Sequence, residues 1–137
     1  MKSSNIQNST LAIVIAALIV FASIIFIKSI SVETLEYSIK IKGLYGTEIA
    51  YQDIVEIKEL DSIPYFGLKT NGINIGFMNI GIFTYKELGK VRLFELKKEK
   101  PYILIIVKNE KIVLGLGKEK NEEIYKIMVE KISKVKK

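Results

Sequence analysis

The stretch PYILIIVKNEKIVLGLGKEKNEEIYKIMVEKISKV, residues 101–135, changes its period half-way along, and that change decides the fold. Residues 102–107 are an almost unbroken apolar run of strand length, the pattern of a strand covered on both faces. Lys108-Asn109-Glu110 make a polar turn, and residues 111–116 supply another strand. Further on, Ile124, Ile127, Met128, Ile132 and Val135 recur at helical spacing, which predicts a helix over about 121–135. Asn121 is placed to cap it, Glu122 and Glu123 oppose the positive end of its dipole, and Lys131, Lys134, Lys136 and Lys137 load its far end. Strands followed by one amphipathic helix predict a mainly β (α+β) domain and argue against a parallel sheet of βαβ units.

Upstream, alternation of period two runs from Glu33 to Gly117. In residues 35–42, Leu35, Tyr37, Ile39 and Ile41 face one way and Glu36, Ser38, Lys40 and Lys42 the other, a half-buried first strand. Gly43 and Gly46 mark a tight turn, and residues 46–50 continue as a second strand. Residues 54–60 form a third, with Val55, Ile57 and Leu60 seeking cover, and Asp61-Ser62-Ile63-Pro64 break it. Asn71-Gly72, between residues 66–70 and 73–77, is a hairpin signal, because a type I′ turn wants positive φ at both central residues. Gly76 and Gly81 dilute this region, as glycines at bulges or close backbone approaches do. Residues 81–85 and 90–96 complete a set of seven or eight short antiparallel strands.

The other end of the chain is of a different kind. Residues 11–27 read LAIVIAALIVFASIIFI, and no charge falls between Lys2 and Lys28. A helix rising about 1.5 Å per residue needs roughly 20 such residues to cross a hydrocarbon core of about 30 Å, so one transmembrane helix is expected. A cleaved signal is the rival reading; the run exceeds the usual h-region, and the residues around Lys28 lack a small-x-small cleavage site. The organisation expected is therefore a short polar tail at 1–9, a transmembrane helix at 10–28, a linker at 29–34 and one domain at 35–137. Lys28, Lys40 and Lys42 outnumber Lys2 across the helix, which leans towards a cytoplasmic domain at the cell membrane.

Composition excludes more than it assigns. The chain has no histidine, cysteine or tryptophan. Zinc sites of the Cys/His type and Ser-His or Cys-His nucleophile pairs are thus excluded and no cofactor is expected, while catalysis by carboxylates or lysine stays open with no spacing that points to it. The net charge of +6 is mild, and lysines alternate with glutamates along the domain. A nucleic-acid partner would call for a concentrated basic face or a groove-reading motif.

The order of several short words resembles the bacterial pleckstrin-homology (PH) domain family, in particular its membrane-tethered members. They are Leu44-Tyr45-Gly46 followed by Ile49 and Asp53-Ile54, then Ile63-Pro64 leading to Lys69-Thr70-Asn71-Gly72, then Gly81-Ile82-Phe83, Leu88-Gly89-Lys90-Val91-Arg92-Leu93-Phe94 and Pro101-Tyr102-Ile103. The resemblance implies a seven-stranded, partly open barrel capped by the C-terminal helix, without enzymatic activity. Phosphoinositide-binding PH domains carry a basic loop between their first two strands. Here that loop is Gly43-Leu44-Tyr45-Gly46, which departs from the pattern and argues against specific phosphoinositide recognition.

Lys90, Arg92, Lys97, Lys98 and Lys100 are the candidate contacts to an anionic surface, where each basic residue contributes about 1 kcal/mol. The competing reading is a solvated turn in which lysines blunt sheet edges. Tyr45, Tyr65, Tyr85 and Tyr102 are expected to bury their rings and keep polar tips near strand ends. Two functions follow as expectations. One is a membrane-anchored module for a protein partner or a second copy of the chain, with strand addition at an open edge as its mode. The other is a domain that binds lipid headgroups or a small ligand at the bilayer that anchors it.

Overall fold

A computed structural model describes residues 2–64 and 67–137. Helix α1 (Lys2–Ser29) is longer than the apolar run. The expected polar tail continues it, with the Ser9 and Thr10 hydroxyls donating to the Ile6 carbonyl one turn back. Residues 3–29 of α1 are long and apolar enough to cross a membrane.

Strands β1 (Ser31–Thr34), β2 (Ser38–Lys42) and β3 (Thr47–Ala50) form an antiparallel sheet in chain order. The expected linker thus contains a strand, and the first strand read at 35–42 is shorter. Val32 pairs with Ile41 and Thr34 with Ile39, so the chain must reverse at residues 35–37. Leu35 N–H donates to the Ser38 carbonyl there, and Leu35 and Tyr37 face solvent.

A single 3-10 turn, Tyr51–Asp53, leads into the second sheet. Its strands are β4 (Ile54–Leu60), β5 (Gly67–Ile75), β6 (Met78–Tyr85), β7 (Gly89–Glu95), β8 (Tyr102–Val107) and β9 (Glu110–Gly115), in the order β4-β8-β9-β7-β6-β5. Helix α2 (Lys118–Val135) follows. Two unclosed sheets and a closing helix are the PH-like, partly open arrangement expected, with nine strands in place of seven. One pairing is parallel, β7 with β9, because β8 lies one position beyond β9 and the β8–β9 hairpin returns the chain alongside β7.

Three local expectations change. Asn71-Gly72 lies inside β5, and the hairpin turn is Gly76-Phe77, between paired Ile75 and Met78. A two-residue loop with glycine first fits the strand twist, and Gly76 has φ 45°. Gly72 is needed instead for close approach to Gly81, since a Cβ on it would lie 2.3 Å from the Ile80 carbonyl oxygen. Val55 points outward and Ile54 inward, because a register shift between Ile54 and Glu56 re-aims the start of β4. Asn121 is a buried tie and not the cap: its Nδ2 donates to the Pro101 and Leu114 carbonyls and its Oδ1 accepts from Leu116 N–H. The chain turns at Gly117, φ 106°, and Glu99 accepts from Lys118 N–H at the start of α2. Phe66, read as the start of a strand, and Tyr65 lie outside the described residues.

The core has two parts, one on each face of the large sheet. Ile80, Phe94 and Leu114 pack with Ile39 and Ile41 of the small sheet and with Ile124 and Met128 of α2. On the opposite face Phe83, Val91, Leu93, Leu104 and Val113 form a smaller cluster, with Leu60 and Ile63 against it. β4 and β5 are the two edges of this sheet, yet Leu60 and Gly67 are seven residues apart. Leu60 stands in the row of Glu95 and Asn79, but Gly67 stands opposite Tyr85, six residues further along β6, so across a flat sheet the two would lie about 31 Å apart, more than the about 25 Å that seven extended residues reach. The sheet therefore curls about its second face, and a cleft opens there.

Candidate functional site

The cleft is built by alternation on β7. Val91 and Leu93 point into the smaller cluster, and the next residue on that face is Glu95, a carboxylate only 5% exposed. Register supplies its surroundings. Asn79 of β6 stands opposite and donates Nδ2–H to Glu95 Oε1 at 2.6 Å. Gly115 of β9 stands on the other side and leaves room for the Tyr102 ring, where a Cβ would lie 2.8 Å from that ring. Gly67 does the same for Tyr85, with a Cβ only 2.3 Å from its ring. Each tyrosine thus rests on a glycine and lines the same cleft as Glu95, and Phe83 stacks against Tyr85 with ring centroids 6.3 Å apart.

Both hydroxyls hold their protons tightly. Loss of hydration, and then the charge of Glu95, push Tyr85 up to about 12. The same two causes push Tyr102 up to about 12, aided by its hydrogen bond with Glu95. Asp61 and Ser62 on one side and Lys98 and Lys100 on the other form the rim of an open cleft of about 640 Å³.

Asn79 Oδ1 is buried without a hydrogen-bond partner among the described residues. The amide cannot be turned to relieve this, since its carbonyl would then face the Glu95 carboxylate. An unmade hydrogen bond of this kind costs about 1–3 kcal/mol. Asn79 and Glu95 both line the cleft, so its floor holds a carboxylate and an amide carbonyl oxygen, both nearly wholly buried.

The five basic residues named from the sequence do not share one surface. Lys98 and Lys100 sit on the rim of the cleft. Lys97 lies against Gly117. Lys90 is at the opposite end of β7, roughly 20 Å from Lys97 at strand rise. Arg92 ties the two sheets together: its Nε pairs with Glu110, and its Nη1 donates to the carbonyl oxygens of Tyr45 at 2.8 Å and Gly46 at 3.3 Å. Glu95 and Asn79 were not singled out in the sequence. The signal available was a carboxylate in the inward register of Val91 and Leu93.

Comparison with protein-family profiles matches residues 28–117 to the family described as Bacterial PH domain. The chain belongs to the bacterial PH domain family. PH domains are protein- or lipid-interaction modules and are generally non-enzymatic. In this PH domain the match runs from the end of α1 to the residue before α2, and so takes in both sheets and the whole cleft. No curated protein and no solved structure matches the chain.

Proposed function

We propose that this PH domain is a non-enzymatic interaction module, held at the cell membrane by α1 as a single uncleaved span, that receives a donor-bearing segment of a partner protein in the Glu95 cleft. The observation that carries the reading is the floor of that cleft. A buried carboxylate beside an unpaired carbonyl oxygen favours an amide, ammonium or guanidinium group and repels a phosphate headgroup. The charges of Lys98 and Lys100 on the rim are matched by Asp61 and Glu95, so the cleft offers no net attraction to anionic lipid.

The nine-residue β5 supports an extended partner. It is an edge strand, and its Gly67 and Asn74 line the cleft, so a segment paired along it brings a side chain to Glu95. The uncharged length of α1 supports the anchor, and the lysines after it favour the cytoplasmic side for the domain.

The test is a photoreactive residue at Lys98 in the full-length chain, irradiated in its own membrane. A protein adduct that is lost in Glu95→Gln and Asn79→Leu is expected. Adducts to lipid alone, unchanged in those variants, overturn the protein reading and favour headgroup binding. Protease access in intact cells against inverted vesicles checks the side, with digestion expected only in the vesicles.

A further inference from the structure

We infer that the tip of the β5–β6 hairpin is a second membrane contact, seated in the interfacial layer of the bilayer beside α1. The inference rests on α1 being a membrane anchor. Its first support is compositional: no charged residue falls between Lys69 and Lys86, a gap that spans most of both strands and the turn between them. In a domain where lysine and glutamate otherwise recur every few residues, that gap needs a reason. At its centre Phe77 is 61% and Ile75 44% exposed, apolar side chains at the far end of a hairpin.

Depth is the second support. Ile73, Ile75 and Met78 of the hairpin share an apolar notch with Ile19 and Phe26 of α1. Ile19 precedes Lys28 by nine residues, about 13 Å along a helix axis. Lys28 is the first charge after the apolar run, and a lysine at the end of a span stays at headgroup level. The wall of the notch therefore lies on the bilayer side of Lys28, and the hairpin that forms its other wall reaches the same side.

Amphipathic elements that lie in the interface bury their apolar face by about 5–10 Å, which matches a tip carrying Phe77 and Ile75. The tip goes no deeper, because the turn has backbone groups that hydrocarbon cannot satisfy. Asn74 and Asn79, the next pair along the ladder, face the cleft and mark the polar limit. The notch shared with α1 lies on one face of the hairpin and the cleft opens on the other, so insertion of the tip holds the cleft at the bilayer surface.

The chain contains no tryptophan, so single-tryptophan variants report without background. Phe77→Trp, Phe21→Trp in the span and Tyr37→Trp on the exposed β1–β2 turn are each made in the full-length protein. They are reconstituted in phosphatidylcholine vesicles with acyl chains brominated near the headgroup. The expected result is a blue-shifted emission from Phe77→Trp that brominated lipid quenches, quenching of Phe21→Trp, and none of Tyr37→Trp. Quenching of Phe21→Trp without that of Phe77→Trp overturns the hairpin contact and leaves the anchor standing. Loss of both overturns the anchor and the contact with it. Emission from Phe77→Trp that ignores brominated lipid but shifts on dilution of the protein assigns the tip to a second copy of the chain, and also overturns the inference.

Discussion

Phe94 and Glu95 are neighbours on β7 and point to opposite faces of the same sheet, into surroundings of opposite character. The Phe94 face is closed by the small sheet and by α2, and the larger apolar cluster fills it. The Glu95 face has no second sheet over it; the sheet curls, Leu60 and Ile63 cover part, and the remainder is a cleft floored by polar groups. Stability resides on the face that two layers close. The proposed binding cleft lies on the face that they leave open.

The largest effect is expected from Phe94→Ala. The side chain is fully buried, and its removal leaves a cavity between layers that cannot both collapse. A loss of about 4 kcal/mol is expected in denaturant unfolding of the detergent-solubilised protein. A loss below about 1 kcal/mol would mean that the two faces are not divided in this way.

The polar face is tested by Asn79→Leu, alone and combined with Glu95→Leu. Alone, it removes the donor at 2.6 Å from a buried carboxylate, and about 2 kcal/mol should be lost. Replacing both partners removes the buried polar groups together, and the double variant should return to within about 1 kcal/mol of the natural chain. Both variants should lose the partner adduct. A double variant as unstable as the single one would make Glu95 a structural group.

Alkaline titration sharpens the contrast further. Tyr85 and Tyr102 titrate near 10 in an unfolded chain and at about 12 in the folded one. Above pH 10 the unfolded state gives up protons that the folded state keeps. The stability they contribute is thus fully present below pH 10, and it falls as pH rises towards about 12. Tyr102→Phe should flatten that fall. Glu95→Gln should narrow the window without closing it, because burial is the larger cause and remains. Tyr51, whose hydroxyl is raised by burial alone on the other face, should titrate unchanged in Glu95→Gln. Absorbance of tyrosinate against pH separates the groups.

What was legible in the sequence follows the range of the interactions. α1 is set by an uncharged run, and the buried stripe of α2 by Ile124, Met128 and Ile132, all of them local patterns. Strand alternation was also local, and Ile39 and Ile41 point inward as read. The turn was misplaced to Asn71-Gly72 because a cross-strand glycine contact with Gly81 and a turn demand the same residue type. The cleft depends on register between residues distant in the chain: Asn79 opposite Glu95, Glu95 opposite Gly115, and Gly67 under Tyr85. No window of sequence contains those pairs. The surroundings of the basic residues were hidden for the same reason: Arg92 pairs with Glu110 and donates to the turn at Tyr45, and only the folded sheets bring these together.

The smallest effect is expected from Lys90→Gln, and its smallness is informative. Lys90 stands opposite Thr84 at the open end of β7, exposed, and outside the lining of the cleft that Lys98 and Lys100 share. An exposed charge away from any cap, pair or cleft contributes within about 0.5 kcal/mol, so unfolding should not move measurably. The photoadduct at Lys98 should also survive, because Lys90 is not among the residues that line the cleft. If the protein instead met anionic headgroups through one basic surface, Lys90→Gln and Lys98→Gln would weaken binding to anionic vesicles equally, each by the contribution of one charge. A measured difference between those two lysines therefore ties binding to the cleft, on the face of the sheet where the apolar alternation of β7 gives way to Glu95.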